Sequence, residues 1–194
     1  MQDWGPLPRR LGAKQMKARN ILITGPPGCG KTTLVERLVA KIKVMVVGFI
    51  TREIRERGNR VGFSIDGFDG RSAVLAHIDI ESPFRVGKYG VRIETIDEIA
   101  VPSLEPTSTD ALIVIDEIGK MECFSMAFRN AVVEALNAPN PVLATIAMKG
   151  DSFIGSLKAR KDVSLITVNQ SNRDALISSI LASVRESLVR GNIE

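Results

Sequence analysis

The chain has 194 residues, 44% of them hydrophobic and 25% charged, which suits one folded domain and excludes a disordered polymer. Its net charge of +4 resides in residues 1–19, where Arg9, Arg10, Lys14, Lys17 and Arg19 face only Asp3; the rest is neutral, so nucleic-acid binding is not indicated. Two Cys, one His and no apolar run longer than Val44 to Ile50 exclude a disulfide framework, a Cys/His zinc site and a membrane span.

Residues 1–19 contain Gly5, Pro6, Pro8 and Gly12 without an apolar period, and are expected to form a flexible basic extension, with Met16 as an alternative start. No apolar stretch follows its charges as a secretory leader requires, and the expected setting is the cytoplasm. Residues 20–194 are expected to form one domain. Ile21 to Thr24 predicts a short buried strand, and Leu34, Val35, Leu38, Val39 and Ile42 predict a one-sided helix. Val44 to Ile50 is the next strand. Val61, Phe63 and Ile65 alternate, Asp66 to Gly70 is turn chemistry, and Ser72 to Ile78 returns, which predicts an inserted antiparallel hairpin. Glu94 to Ala100 predicts a short helix closed by Pro102. Strands at Ala111–Ile115, Val142–Ile146 and Leu165–Val168 follow, with helices between them and from about Arg173. The expected fold is α/β, three-layered, with a mainly parallel sheet covered by helices on both faces.

Gly25-Pro26-Pro27-Gly28-Cys29-Gly30-Lys31-Thr32 matches G-x-x-x-x-G-K-[ST], between a strand and a helix, with Thr33 next in line. Gly25, Gly28 and Gly30 let successive N–H groups turn inward onto phosphate. Lys31 would set an ammonium between the β- and γ-phosphates, and Thr32 would offer its hydroxyl to Mg²⁺. Cys29 reads either as packing or as a reactive thiol at a helix N-terminus.

The strand Leu112-Ile-Val-Ile ends in Asp116-Glu117. Asp116 fits the Walker B task of holding Mg²⁺, and Glu117 stands where a carboxylate can orient an attacking water. An adjacent Glu of this kind is similar to the additional-strand division of P-loop NTPases. In that division a further strand lies between the loop strand and the Asp strand. Val142–Ile146 is the candidate, with Thr145 near the γ-phosphate or the water. Asn172 and Arg173 either pack against the base or serve the last helix, Asn172 as its cap. Arg160, followed by Lys161, reads as a cationic finger in cis or as a solvated helix end; Lys149 carries the same ambiguity. His77 reads as structural. Arg52, Arg55 and Arg60 form either an acceptor-phosphate site or a charged loop balanced by Glu53 and Glu56.

Together, Thr24 to Leu34, Gly48-Phe-Ile-Thr-Arg-Glu53, Arg55, Arg60-Val-Gly-Phe63, Val86-Gly-Lys-Tyr89, Asp116-Glu-Ile-Gly-Lys-Met-Glu122, Arg160-Lys-Asp162 and Asn172-Arg173 resemble the THEP1 family of nucleoside triphosphatases over about residues 20–185. The resemblance implies a RecA-like core and slow, Mg²⁺-dependent hydrolysis of several nucleoside triphosphates with loose base choice. Two alternatives stay open. One is a nucleotide or polynucleotide kinase passing the γ-phosphoryl group to a hydroxyl. The other is a nucleotide switch that binds triphosphate and releases almost no phosphate alone. Protein partners and oligomeric state are not legible.

Overall fold

Short apolar strands with no polar face need cover on both sides, and that requirement organises the molecule. The computed structural model describes residues 18–191, so residues 1–17 of the expected extension lie outside the described residues. The strands are β1 (Asn20–Thr24), β2 (Val46–Glu56), β3 (Asn59–Gly67), β4 (Ser72–His77), β5 (Arg85–Val86), β6 (Tyr89–Val91), β7 (Leu112–Ile118), β8 (Val142–Ile146) and β9 (Val163–Thr167). The helices are α1 (Lys31–Val39), α2 (93–103), α3 (Met126–Asn137), α4 (Ser152–Lys158) and α5 (Arg173–Gly191).

All nine strands form one sheet in the order β5-β6-β4-β3-β2-β7-β8-β1-β9. The segment β2-β7-β8-β1-β9 is parallel, and β2-β3-β4-β6-β5 is antiparallel. β8 lies between β1 and β7, as expected for the additional strand. Alternation along each strand divides the core. Ile21, Ile23, Leu112 and Val114 pack with α1 and α5 on one face. Leu22, Ile113, Ile115 and Phe49 pack with α2, α3 and α4 on the other. Phe49 and Phe128 meet there at 6.0 Å between ring centroids.

Two of the expected elements run differently in the structure. β2 does not stop at Ile50 but runs to Glu56: having left β7 after Ile50↔Asp116, it continues as an antiparallel ribbon with β3. β3 and β4 therefore extend the main sheet from β2. The charged stretch Arg52 to Arg60 looks like a loop in sequence because both faces of this ribbon carry polar side chains. Finally, Pro102 does not close the helix after Ala100; α2 widens into a π-type turn over Ile96–Ala100 and continues through the proline. Pro102 supplies no N–H to return to Glu98, and that carbonyl accepts from Arg71 Nη1 at 3.0 Å instead.

Two buried polar groups matter to stability. Asn20 is fully buried at the amino end of β1. Its Nδ2 donates to Leu136 O and Asp162 Oδ2, and its Oδ1 accepts from Val142 N, so β1, β8, α3 and the turn before β9 share one side chain. Glu122 is buried just after β7, and burial pushes its carboxyl up to about 8, with the nearby charges of Glu117 and Asp116 adding to the rise.

Asn20→Ala is expected to destabilise the protein by roughly 1–3 kcal/mol in urea titrations, because Val142 N loses its partner and Asp162 and Leu136 O each lose one hydrogen bond at the same time. An acid held neutral in the fold gives stability that is complete below its unfolded pKa and lost as pH rises to its folded pKa. The parent is therefore expected to lose on the order of 2 kcal/mol between pH 6 and 8. Glu122→Gln is expected to flatten that window, measured by denaturant unfolding at the two pH values.

Candidate active site

The parallel strands deliver their carboxyl ends to one edge of the sheet, where open α/β sheets bind ligands. β1 ends at Thr24, the loop 25–30 turns, and α1 begins at Lys31. Gly30 takes φ 90° and ψ 32°, and no side chain caps α1, so the first helical N–H groups stay available to an anion. Gly25 is required for another reason. A Cβ there would lie 2.2 Å from Val168 O, because the turn after β9 presses against the loop. Cys29 is buried in the core beneath the loop, as its packing reading requires, with Sγ 3.0 Å from where a Gly25 Cβ would stand. Pro26, Pro27, Gly28 and Thr33 are exposed on the loop and the first turn of α1.

The acid pair meets this loop. Lys31 Nζ lies 3.7 Å from Glu117 Oε2, and the Lys31 side chain is 11% exposed against 34% for Glu117. Asp116 is buried. Its Oδ1 accepts from Thr145 Oγ1 at 2.5 Å, and the nearby Thr32 hydroxyl favours the charged form of the carboxylate. Its backbone carbonyl accepts from Thr51 Oγ1. Its Oδ2 has no hydrogen-bond partner among the described residues. Burial pushes the carboxyl up to about 6 with Glu117 adding to the rise, while Thr145, Thr32 and the Lys31 charge oppose it. A carboxylate with one oxygen fixed and the other buried and unpartnered, beside a threonine hydroxyl, suits a hard divalent cation that keeps water and phosphate oxygens as its other ligands.

Other expectations are placed differently. Thr145, expected near the γ-phosphate or the water, gives its hydroxyl hydrogen to Asp116. Arg160 lies at the opposite, amino edge of the sheet. Its guanidinium bonds Asp162, Leu136 O and Asn137 Oδ1, in the same network as Asn20, one strand length away from the phosphate loop. The structure does not bring Arg160 to the phosphates, because Ala159 and Arg160 lead back down into β9. Asn172 stands at the start of α5, where its backbone O accepts from Leu176 N, but its side chain is turned back from the helix. Its Oδ1 accepts from Asn169 N and its Nδ2 donates to Thr167 O, which shapes the turn after β9. Arg173 stands over the loop, with Nη1 2.5 Å from where a Gly30 Cβ would lie, and its Nε pairs with Asp174. Arg52 is paired with Glu36 and Asp66, and Arg55 and Arg60 with Glu53, in the balanced ribbon. His77 Nδ1 accepts from Asp79 N on β4, far from the loop in the sheet order.

Some site residues escaped motif reasoning. Thr51 orients Asp116 from β2, although it lies inside the Gly48 to Glu53 string. Glu122 lies behind the acid pair: a Cβ on Gly119 would be 2.8 Å from Glu122 Oε2 and 3.5 Å from Glu117 Oε1. Lys158 donates from α4 to Ala147 O and Met148 O and pins the turn after β8.

A family model described as NTPase matches residues 20–181. Nucleoside-triphosphatase THEP1 of Thermotoga sp. (strain RQ2) is 44% identical over 166 residues, covering 85% of this chain and 95% of that protein. Cancer-related nucleoside-triphosphatase of Homo sapiens is 36% identical over 187 residues, covering 88% and 98%. The crystal structure of THEP1 from Aquifex aeolicus superposes with a TM-score of 0.78 at 35% identity, over 85% of this chain and 98% of that one. A family-model match over residues 20–181, together with identity and coverage at this level, means that the chain belongs to the NTPase family that includes the THEP1 and cancer-related nucleoside-triphosphatases.

Proposed function

We propose that the chain hydrolyses nucleoside 5′-triphosphates to the diphosphate and phosphate, with Mg²⁺, accepting ATP, GTP, CTP and UTP. The observation that carries the reading is the approach of Lys31 and Glu117 to 3.7 Å beside the unpartnered Asp116 oxygen, at the mouth of the phosphate loop. The names of the relatives support it. The sheet order supports reading the core as RecA-like, with β3 and β4 as its antiparallel addition. We also assign the activity to residues 20–194, with 1–19 as an appendage, working in the cytoplasm. Among the described residues no helix is long and apolar enough to cross a membrane.

In this scheme the amides of residues 25–32 and the Lys31 ammonium hold the β- and γ-phosphates. Thr32 and Asp116 would hold Mg²⁺, which when bound neutralises phosphate charge. Lys31 turns from Glu117 to the phosphates, and Glu117 is released to accept a hydrogen bond from the attacking water. The water oxygen bonds to the γ-phosphorus and the bond to the β–γ bridging oxygen breaks. The diphosphate leaves with that electron pair, and the water's proton passes to the released phosphate. Thr51 and Thr145 keep Asp116 in place. Arg160 has no role in this chemistry. The kinase alternative would need a free cationic site for the acceptor, and Arg52, Arg55 and Arg60 are each engaged by a carboxylate.

Phosphate release from the four triphosphates, with and without Mg²⁺, tests the reading directly. Glu117→Gln is expected to lower kcat on the order of 10²–10³-fold with little change in KM, since the group acts only on the reacting water. A parent rate in that variant would remove Glu117 from the mechanism. Arg160→Ala is expected to keep kcat within about twofold while lowering the unfolding midpoint, because it acts only on the amino-edge network.

A further inference from the structure

The parallel register Thr24↔Thr167 brings the phosphate loop and the turn after β9 off the sheet side by side, and Val168 N donates to Thr24 O at 2.7 Å to hold them together. Between them lies a cleft of about 390 Å³, lined by Pro26, Pro27, Cys29, Asn169, Gln170 and Ser171. None of these side chains is charged. A phosphate or a carboxylate has no counter-ion there; a flat, neutral, hydrogen-bonding ring finds proline faces on one side and a polar turn on the other. The cleft also shares Pro26, Pro27 and Cys29 with the phosphate loop, so one nucleotide can span both.

The polar side chains of the turn are mostly committed. Asn169 Oδ1 accepts from Ser171 N, Ser171 Oγ and Asn172 N. Ser171 Oγ has given its proton to Asn169, and Asn172 is used on Asn169 N and Thr167 O. Arg173 is turned to Gly30 and Asp174. The exposed Gln170 carboxamide is the one left unengaged among the described residues of the turn.

We propose that this cleft holds the nucleobase and that Gln170 is the residue that reads it. The proposal rests on the triphosphatase reading above and adds the reason for its breadth. A carboxamide presents one donor and one acceptor, and rotation about its last bond exchanges them. Each base presents an adjacent donor and acceptor on its pairing edge: N6–H and N1 in adenine, N4–H and N3 in cytosine, N1–H and O6 in guanine, N3–H and O4 in uracil. One orientation of Gln170 serves the first two and the other serves the last two. Nothing charged in the cleft favours either, so discrimination is weak.

Gln170→Glu replaces the adaptable group with one that only accepts. Guanine alone offers two adjacent donors, N1–H and N2–H, and keeps its partner; adenine, cytosine and uracil set an acceptor against a carboxylate. The kcat/KM ratio of GTP over ATP is expected to rise about tenfold in this variant. A rise of less than about threefold overturns the proposal. Gln170→Leu is expected to raise KM for all four triphosphates alike, with kcat unchanged. Calorimetric titration of Gln170→Glu with Mg-GDP, Mg-ADP and Mg-tripolyphosphate reads the same preference without turnover: GDP gains over ADP, and tripolyphosphate binds as to the parent. Should the parent release no phosphate from any triphosphate, the triphosphatase reading fails, and the titration still decides the base cleft.

Discussion

The parallel insertion of β8 between β1 and β7 is the constraint on which the site depends. It carries Thr145 to a point where its hydroxyl reaches Asp116 Oδ1, and it sets the phosphate loop two strands away from the acid pair. The Lys31 side chain then spans that gap to Glu117. If β1 and β7 were direct neighbours, Asp116 would lose the hydrogen bond from Thr145 that orients it. β9, on the other side of β1, brings the turn that walls the base cleft.

The electrostatics follow from burial. Asp116 and Glu122 are both removed from water, and both carboxyls rise for that reason before any neighbour is considered. Their situations differ. Asp116 has a hydroxyl donor, Thr145, on one oxygen and none on the other, the condition of a group prepared for a cation. Glu122 has no such opening and lies behind Gly119, neutral over much of the physiological range. A second full charge there would weigh against Glu117 and Asp116 in the same low-dielectric space. The cost of keeping these acids dry is borne by a core that is continuous on both faces of the sheet.

Much of the fold was readable because parallel strands covered on both sides become unbroken apolar runs, and the five of them stood out: β1, the first half of β2, β7, β8 and β9. The second half of β2 was not, because once it leaves β7 it is an exposed ribbon whose Arg and Glu side chains look like loop chemistry. In the site, Lys31, Thr32, Asp116 and Glu117 were legible from spacing, since a phosphate loop and an acid-tipped strand constrain residue type position by position. Lys158 and Gln170 were not, because an isolated polar residue has no periodic or motif signal, and Thr51, though inside a family string, acquires its meaning only from Asp116, which it faces across the sheet. Arg160 shows the reverse error. A cation after a helix near the end of the chain suits a finger, but the direction in which the chain enters β9 puts it at the wrong edge.

By itself, then, the sequence determined the local machinery: a loop whose glycines admit phosphate, a helix to follow it, and two adjacent carboxylates on a buried strand, all encoded within a few residues of one another. Only the tertiary structure decided the assignments that depend on strand order and direction. These are the orientation of Asp116 by Thr145 and Thr51, the removal of Arg160 to the amino edge, the engagement of Asn172 within its own turn, and the release of Gln170 into the cleft. The reason is physical. Backbone conformation and hydrophobic period are local properties, whereas the partner of a hydrogen bond between residues twenty-nine or sixty-five positions apart is set by which strands lie side by side.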